Sequence, residues 1–177
     1  MSEQTFQQAA VTVFADLPLI QAWQHLQDLS LAHNYVPGLT RTEIVSDQRQ
    51  GVGAHRRVYT GSKYLEETVI DWREGAGFTI KLHKGEKPMA PFRRAEFVYA
   101  LSEGGDEQTR IDLALRFQLP LGGVGRWLGK KAILPVMVKQ LTQVAAGMKH
   151  FYETGQPATD EDRARLAGAV QVRPASA

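Results

Sequence analysis

Residues 109–155 read TRIDLALRFQLPLGGVGRWLGKKAILPVMVKQLTQVAAGMKHFYETG, and two different periods follow one another within them. In the first part Ile111, Leu113, Leu115 and Phe117 alternate with Asp112, Ala114, Arg116 and Gln118. That is the two-residue period of a strand with one buried and one wet face. Beyond Pro120 and the glycines of LGGVG the apolar spacing changes. Leu134, Val138, Leu141, Ala145, Met148 and Tyr152 lie three or four apart, which makes one stripe of a long helix. Gly155 is placed to end that helix in a left-handed cap. Pro135 fits its first turn, so residues 124–133 form a separate turn or a kinked lead-in. A half-buried strand feeding one long amphipathic helix calls for a sheet whose apolar face the helix covers.

Upstream, Thr40–Ser46, Gly53–Thr60, Tyr64–Arg73, Phe78–His83 and Phe92–Leu101 carry strand-like content and lead to Thr109–Leu119. Gln48 to Gly51, Gly61-Ser62, Gly75–Gly77, Gly85–Pro91 and Gly104-Gly105 separate them, as expected for consecutive antiparallel hairpins. Gln4–Phe14 reads as a first strand. Between it and Thr40, residues 16–39 read DLPLIQAWQHLQDLSLAHNYVPGL. Asp16 is placed to cap a helix with Pro18 in its first turn and Ile20, Trp23 and Leu26 on one face beside Leu19 and Ala22. Asp28 or Ser30 opens a second short helix through Leu31 and Tyr35, closed by Pro37-Gly38. The expected fold is therefore α+β: strand, two short helices, six strands and one helix. Its seven-stranded antiparallel sheet curves around the C-terminal helix and leaves an internal apolar cavity. Residues 1–155 form this domain, and the polar, alanine-rich residues 156–177 read as a weakly ordered tail.

The bulk numbers fit a single domain. A chain of 177 residues buries roughly two-thirds of its unfolded surface without a staple. Its 43% hydrophobic and 23% charged residues are ordinary for a globular protein. With no cysteine, disulfides, thiolate metal sites and cysteine nucleophiles are excluded, and a reducing cytoplasmic location is expected. The N-terminus lacks the basic and long apolar regions of a signal peptide, and no run is apolar enough to span a membrane. A formal charge of +2, with basic pairs such as Arg56-Arg57 divided between opposite strand faces, does not describe a nucleic-acid partner.

The chain also resembles the START/Bet v 1-like (SRPBCC) superfamily, and within it the polyketide cyclase/dehydrase-like group. The likeness covers about residues 4–154. It rests on the opening strand leading to Asp16-Leu-Pro and the Ile20-Gln-Ala-Trp23 helix, and on Tyr35-Val-Pro-Gly38 before the second strand. Gly51-Val-Gly53 before the third strand and a terminal helix ending Phe151-Tyr-Glu-Thr-Gly155 complete it. The resemblance implies a helix-grip fold with a deep, mostly apolar cavity. It also implies either a carrier of lipids, sterols, quinones or hormones, or an aromatase/cyclase.

Candidate ligand-binding residues follow from strand and helix faces. Leu113, Leu115 and Phe117 form one apolar wall, Phe97 and Tyr99 a second, Ile80 a third, and Leu134, Val138 and Leu141 lie on the helix. Tyr64–Arg73 reads in either phase, with Glu66, Thr68 and Ile70 on one face and Glu67, Val69 and Asp71 on the other. The second phase, which brings Glu67 and Val69 inward, matches the family's usual acidic-then-valine pattern. In Gly53–Thr60 the two faces are His55, Arg57 and Tyr59 against Ala54, Arg56 and Val58, and an inward Arg57 would pair with Glu66 or Glu67 and orient a ligand carbonyl or carboxylate. The plainer alternative is an exposed cross-strand ion pair. His33 and Tyr35 lie where the family's second helix meets the cavity mouth, and His25 reads as a surface position. The five histidines show no metal-binding spacing, and no nucleophile elbow, phosphate loop or dinucleotide fingerprint occurs. No metal, cofactor or catalytic set is expected. The leading reading is a carrier of a hydrophobic small molecule such as a lipid, quinone or polyketide. A cyclase or dehydratase using a few tuned polar groups is the second, and a protein-interaction module the third.

Overall fold

The computed structural model describes residues 6–120 and 122–174 and gathers nine strands into one antiparallel sheet. In chain order these are β1 (Gln7–Ala15), helix α1 (Leu19–Leu26), a 3-10 turn (Leu29–Asn34), β2 (Arg41–Ile44), β3 (His55–Thr60) and β4 (Lys63–Arg73). Then come β5 (Gly77–Lys84), a two-residue β6 (Lys87–Pro88), β7 (Arg94–Gly105) and β8 (Gln108–Gln118). Helix α2 (Gly122–Leu128) runs through a π-helical turn (Gly129–Ile133) into α3 (Leu134–Thr154). Helix α4 (Asp160–Leu166) and β9 (Gln171–Arg173) end the described chain. The sheet order is β2-β3-β4-β5-β7-β8-β1-β9, with β6 on β5. The seven expected strands and the long helix are all present. The start of the first strand at Gln4 lies outside the described residues.

The register brings the apolar sets onto one face. Phe97, Tyr99 and Leu101 oppose Leu115, Leu113 and Ile111, while Ile80 and Phe78 oppose Phe97 and Tyr99. Directly opposed residues share a face, so these side chains line the concave side of the sheet. Strand β4 resolves its two readings by using both. A bulge between Val69 and Asp71 takes Ile70 out of register, so Glu67 and Val69 face inward before it and Trp72, opposite Phe78, faces inward after it. One inserted residue reverses every side chain that follows.

Helix α3 lies along β1 and β8. Its buried face is Leu141, Val144, Ala145, Met148, Phe151 and Tyr152, and Gly155 at φ 71° ends it in the left-handed conformation. Gly147 lets the helix approach the main chain closely, because a Cβ there would overlap the Tyr35 carbonyl. The Glu74 carboxylate accepts from both Trp23 Nε1 (3.1 Å) and Trp72 Nε1 (2.8 Å), tying α1 to the β4–β5 corner.

Three expectations are corrected. Asp16 does not cap α1, whose N-cap is Pro18 without a side-chain bond; Asp16 instead accepts from Gln108 Nε2 at 2.6 Å. Ile20 is 64% exposed, so the seated stripe of α1 is Ala22, Trp23 and Leu26 with Leu19 partly buried beside them. The described residues after Gly155, 156–174, carry regular structure: Thr159 and Asp162 form a reciprocal capping box, and β9 pairs with β1 through Val11 and Val172. The Ala158 N–H donates to the Asn34 carbonyl at 2.8 Å, and Arg163 is buried. An uncovered β1 edge would leave unpaired main-chain groups, and this short strand takes part of it.

Candidate functional site

The chain alternates through the start of β3, and its inward residues are Ala54, Arg56 and Val58, all buried. Arg56 is only 2% exposed. A guanidinium there is tolerable only if its donors are used. Its Nε donates to Glu67 Oε2 at 2.6 Å and its Nη1 to the Leu29 carbonyl at 2.7 Å. Burial disfavours the Arg56 charge, but the Glu67 carboxylate together with the Tyr35 and Tyr99 hydroxyls outweighs that and holds the guanidinium more firmly protonated than usual.

Three tyrosines from three elements close over this pair. Tyr35 follows the 3-10 turn, Tyr99 comes from β7 and Tyr152 from α3, and all three are buried. The Tyr35 and Tyr99 hydroxyls interact with the Arg56 guanidinium and with each other. Burial pushes the phenols of Tyr35, Tyr99 and Tyr152 above the ordinary tyrosine value, so each remains a neutral O–H donor. The Tyr152 hydroxyl lies within electrostatic reach of Tyr35, Tyr99 and Arg56, yet has no hydrogen-bond partner among the described residues. His25 stacks on the Tyr152 ring at 5.1 Å and 25°, and burial pushes its imidazole below the usual histidine value.

Of the residues singled out from sequence, Tyr35, Glu67 and Tyr99 meet in this cluster. Val69, Ile80, Leu113, Leu115, Phe117 and Leu141 are buried around the concave face, while Phe97, Leu134 and Val138 are half-buried there beside Leu65 and Met137. His33 belongs elsewhere: its ring Nδ1 lies 3.1 Å from the Thr42 hydroxyl, which also accepts from the His33 N–H. Arg57 and Tyr59 correct the expected strand phase. Both point away from α3, Arg57 to Glu66 Oε1 at 3.2 Å and Tyr59 to Glu43 Oε2 at 2.7 Å. The plainer reading of Arg57, a cross-strand ion pair, describes what the strand does. His25 is half-buried rather than a surface group.

Sequence reading missed Arg56 and Tyr152. The signal for Arg56 was its place between Ala54 and Val58, two apolar residues at strand spacing. Tyr152 belonged to the helical stripe, but nothing in a stripe says that its hydroxyl lacks a partner. Among the described residues no group of three or more metal-ligating side chains occurs, and no helix is long and apolar enough to cross a membrane.

A profile of the family described as polyketide cyclase / dehydrase and lipid transport matches residues 7–151. No curated protein matches the sequence. Among solved structures, Ara h 8.0201 superposes with a TM-score of 0.61 at 15% identity over 84% of this chain and 98% of its own. A START superfamily protein from Mycobacterium smegmatis gives 0.65 at 12% identity, over 85% and 99%. A Thermus thermophilus protein, TTHA0849, gives 0.58 at 19% identity, over 82% and 96%. At these identities the solved structures speak for the helix-grip fold, and the profile speaks for kinship. The chain belongs to the polyketide cyclase/dehydrase and lipid transport family, within the START/Bet v 1-like (SRPBCC) superfamily.

Proposed function

We propose that the protein binds a hydrophobic small molecule between α3 and the concave face of the sheet, with the ligand's polar end on the tyrosine cluster. The observation that carries this reading is the buried, unpartnered Tyr152 hydroxyl beside the Arg56–Glu67 pair. Buried polar groups are nearly always paired, and a lone hydroxyl costs about 1–3 kcal/mol. A ligand carbonyl, carboxylate or phenol would supply the missing acceptor. The apolar body would lie toward Leu65, Phe97, Leu134, Met137 and Val138, apolar side chains that remain only partly buried although they pack against the core. Adaptable apolar contact with a few fixed polar groups is how such sites hold small molecules.

The cyclase or dehydratase reading draws on the same donors, since neutral phenols beside a guanidinium can polarise a ketone. Such chemistry also needs a base. Glu67, the acidic side chain bonded within the cluster, is committed to Arg56. Binding therefore accounts for more of the arrangement than turnover does. Tyr152→Phe separates the two roles of the hydroxyl. Removing an unpaired buried hydroxyl should raise the stability of the empty protein by up to about 1–3 kcal/mol and weaken ligand affinity about tenfold. Thermal unfolding and titration with an apolar naphthalene sulfonate probe or an extracted ligand read both. A Tyr152→Phe protein that is less stable and binds equally well would remove the basis of the proposal.

A further inference from the structure

From Leu113 to Tyr152 the chain carries six lysines and arginines and no acidic residue, although the whole chain is only +2. The rest of the chain is therefore net acidic, and the excess of positive charge falls on this segment because it lacks acids, with Lys149 at its end paired to Asp16 and Glu153. Within that segment α2 has two distinct flanks. Gly125 and Gly129 press on the body: a Cβ on Gly125 would overlap the Pro120 carbonyl, and one on Gly129 the Gln7 side chain. Val124, Trp127 and Leu128, at i, i+3 and i+4, form the other flank and are 68%, 64% and 45% exposed. Val136, in the first turn of α3, is 52% exposed, and Lys130 and Lys131 between them face solvent.

Three large apolar side chains on one exposed helix flank are not covered by any described part of the chain. The charge beside them selects the cover. Exposed apolar residues with a tryptophan, flanked by lysines and free of acids, match an interfacial element on an anionic surface. We propose that α2, the π-helical turn and the first turn of α3 dock the protein peripherally on a bilayer containing anionic lipid. Val124, Trp127 and Leu128 would enter the headgroup region while Lys130 and Lys131 pair with phosphates. The proposal stands independently of what the interior binds. If both hold, the half-buried Leu134, Met137 and Val138 follow directly on the docked element, and a ligand would pass between membrane and interior there.

The test is flotation of the full chain with phosphatidylcholine vesicles, with and without phosphatidylglycerol, at low and high salt. Binding is expected only with the anionic lipid and should weaken at high salt. Lys130→Glu/Lys131→Glu should lower the partition coefficient by about tenfold or more, since it replaces two cations near the anionic surface by two acids. Trp127→Ser should do the same without changing the melting temperature. Of the three tryptophans, Trp23 is buried and Trp72 partly so, and a blue shift of emission on vesicles that disappears in Trp127→Ser places Trp127 in the lipid. The proposal is overturned if the wild type does not float with anionic vesicles, or if the variants float equally well. It is also overturned if Trp127→Ser instead dissolves a dimer of a chain that never binds lipid, or if the lysines are needed for duplex DNA and not for vesicles.

Discussion

Arg56 is a charge kept where water does not reach, and its neighbours define the cost of changing it. Arg56→Met leaves the Glu67 carboxylate buried without its partner and should destabilise the protein by about 3–5 kcal/mol, measured by denaturant unfolding. Arg56→Met with Glu67→Leu removes both charges and should regain most of that loss, because a buried ion pair rarely exceeds well-packed apolar residues in stability. His25 and His55 provide a pH signature at the same scale. Burial pushes both imidazoles below the ordinary histidine value. The unfolded chain then takes up protons that the folded one refuses, so their contribution is full above about pH 6.5 and declines as pH falls toward the depressed folded values. His25→Phe, which keeps an aromatic ring against Tyr152, should flatten the stability profile between about pH 7 and 5. Residues of this kind were the hardest to read. HRRVYT contains two arginines in succession, and the face each takes depends on the strand's phase, which no local propensity fixes. Tyr35, Glu67 and Tyr99 were legible as polar residues near inward sets, whereas Arg56 and the orphaned Tyr152 hydroxyl depend on groups distant in sequence.

At the scale of elements, periodicity carried most of the information. The clean alternation of residues 111–118 and the stripe from Leu134 to Tyr152 are strong because each position is decided by burial on one face. Strand β4 defeated that logic for a physical reason, since its bulge at Ile70 places Glu67 and Trp72, five residues apart, on the same face. The short strand β9 was missed because three residues carry no period, although Thr159 and Asp162 had the spacing of a capping box. The contact of α3 with the Tyr35 main chain gives a sharp expectation. Gly147→Ala drives a methyl into a carbonyl that cannot rotate away, and should cost about 1–3 kcal/mol in unfolding experiments and displace Tyr152 from the cluster. Thr159→Ala removes the hydroxyl that accepts the Asp162 N–H and should lower stability by about 1 kcal/mol, with increased amide exchange confined to α4 and β9.

For the whole molecule, a curved sheet covered by one helix brings together two kinds of side chain. Arg56, Glu67 and the three tyrosines form a polar, buried group, and Leu134, Met137 and Val138 at the beginning of α3 are apolar and only partly buried. An amphiphilic ligand with one polar end matches that division, and a ligand of either kind alone does not. On the function proposed above, the buried polar cluster serves to hold such a ligand and not to stabilise the fold. Native mass spectrometry of the wild type and the Arg56→Met/Glu67→Leu double variant, purified side by side from the same cells, tests it most directly. The wild type should carry a small apolar molecule at one per chain, and the double variant should fold and carry none. A wild type that emerges empty, or a double variant that keeps the same molecule at the same occupancy, would contradict it.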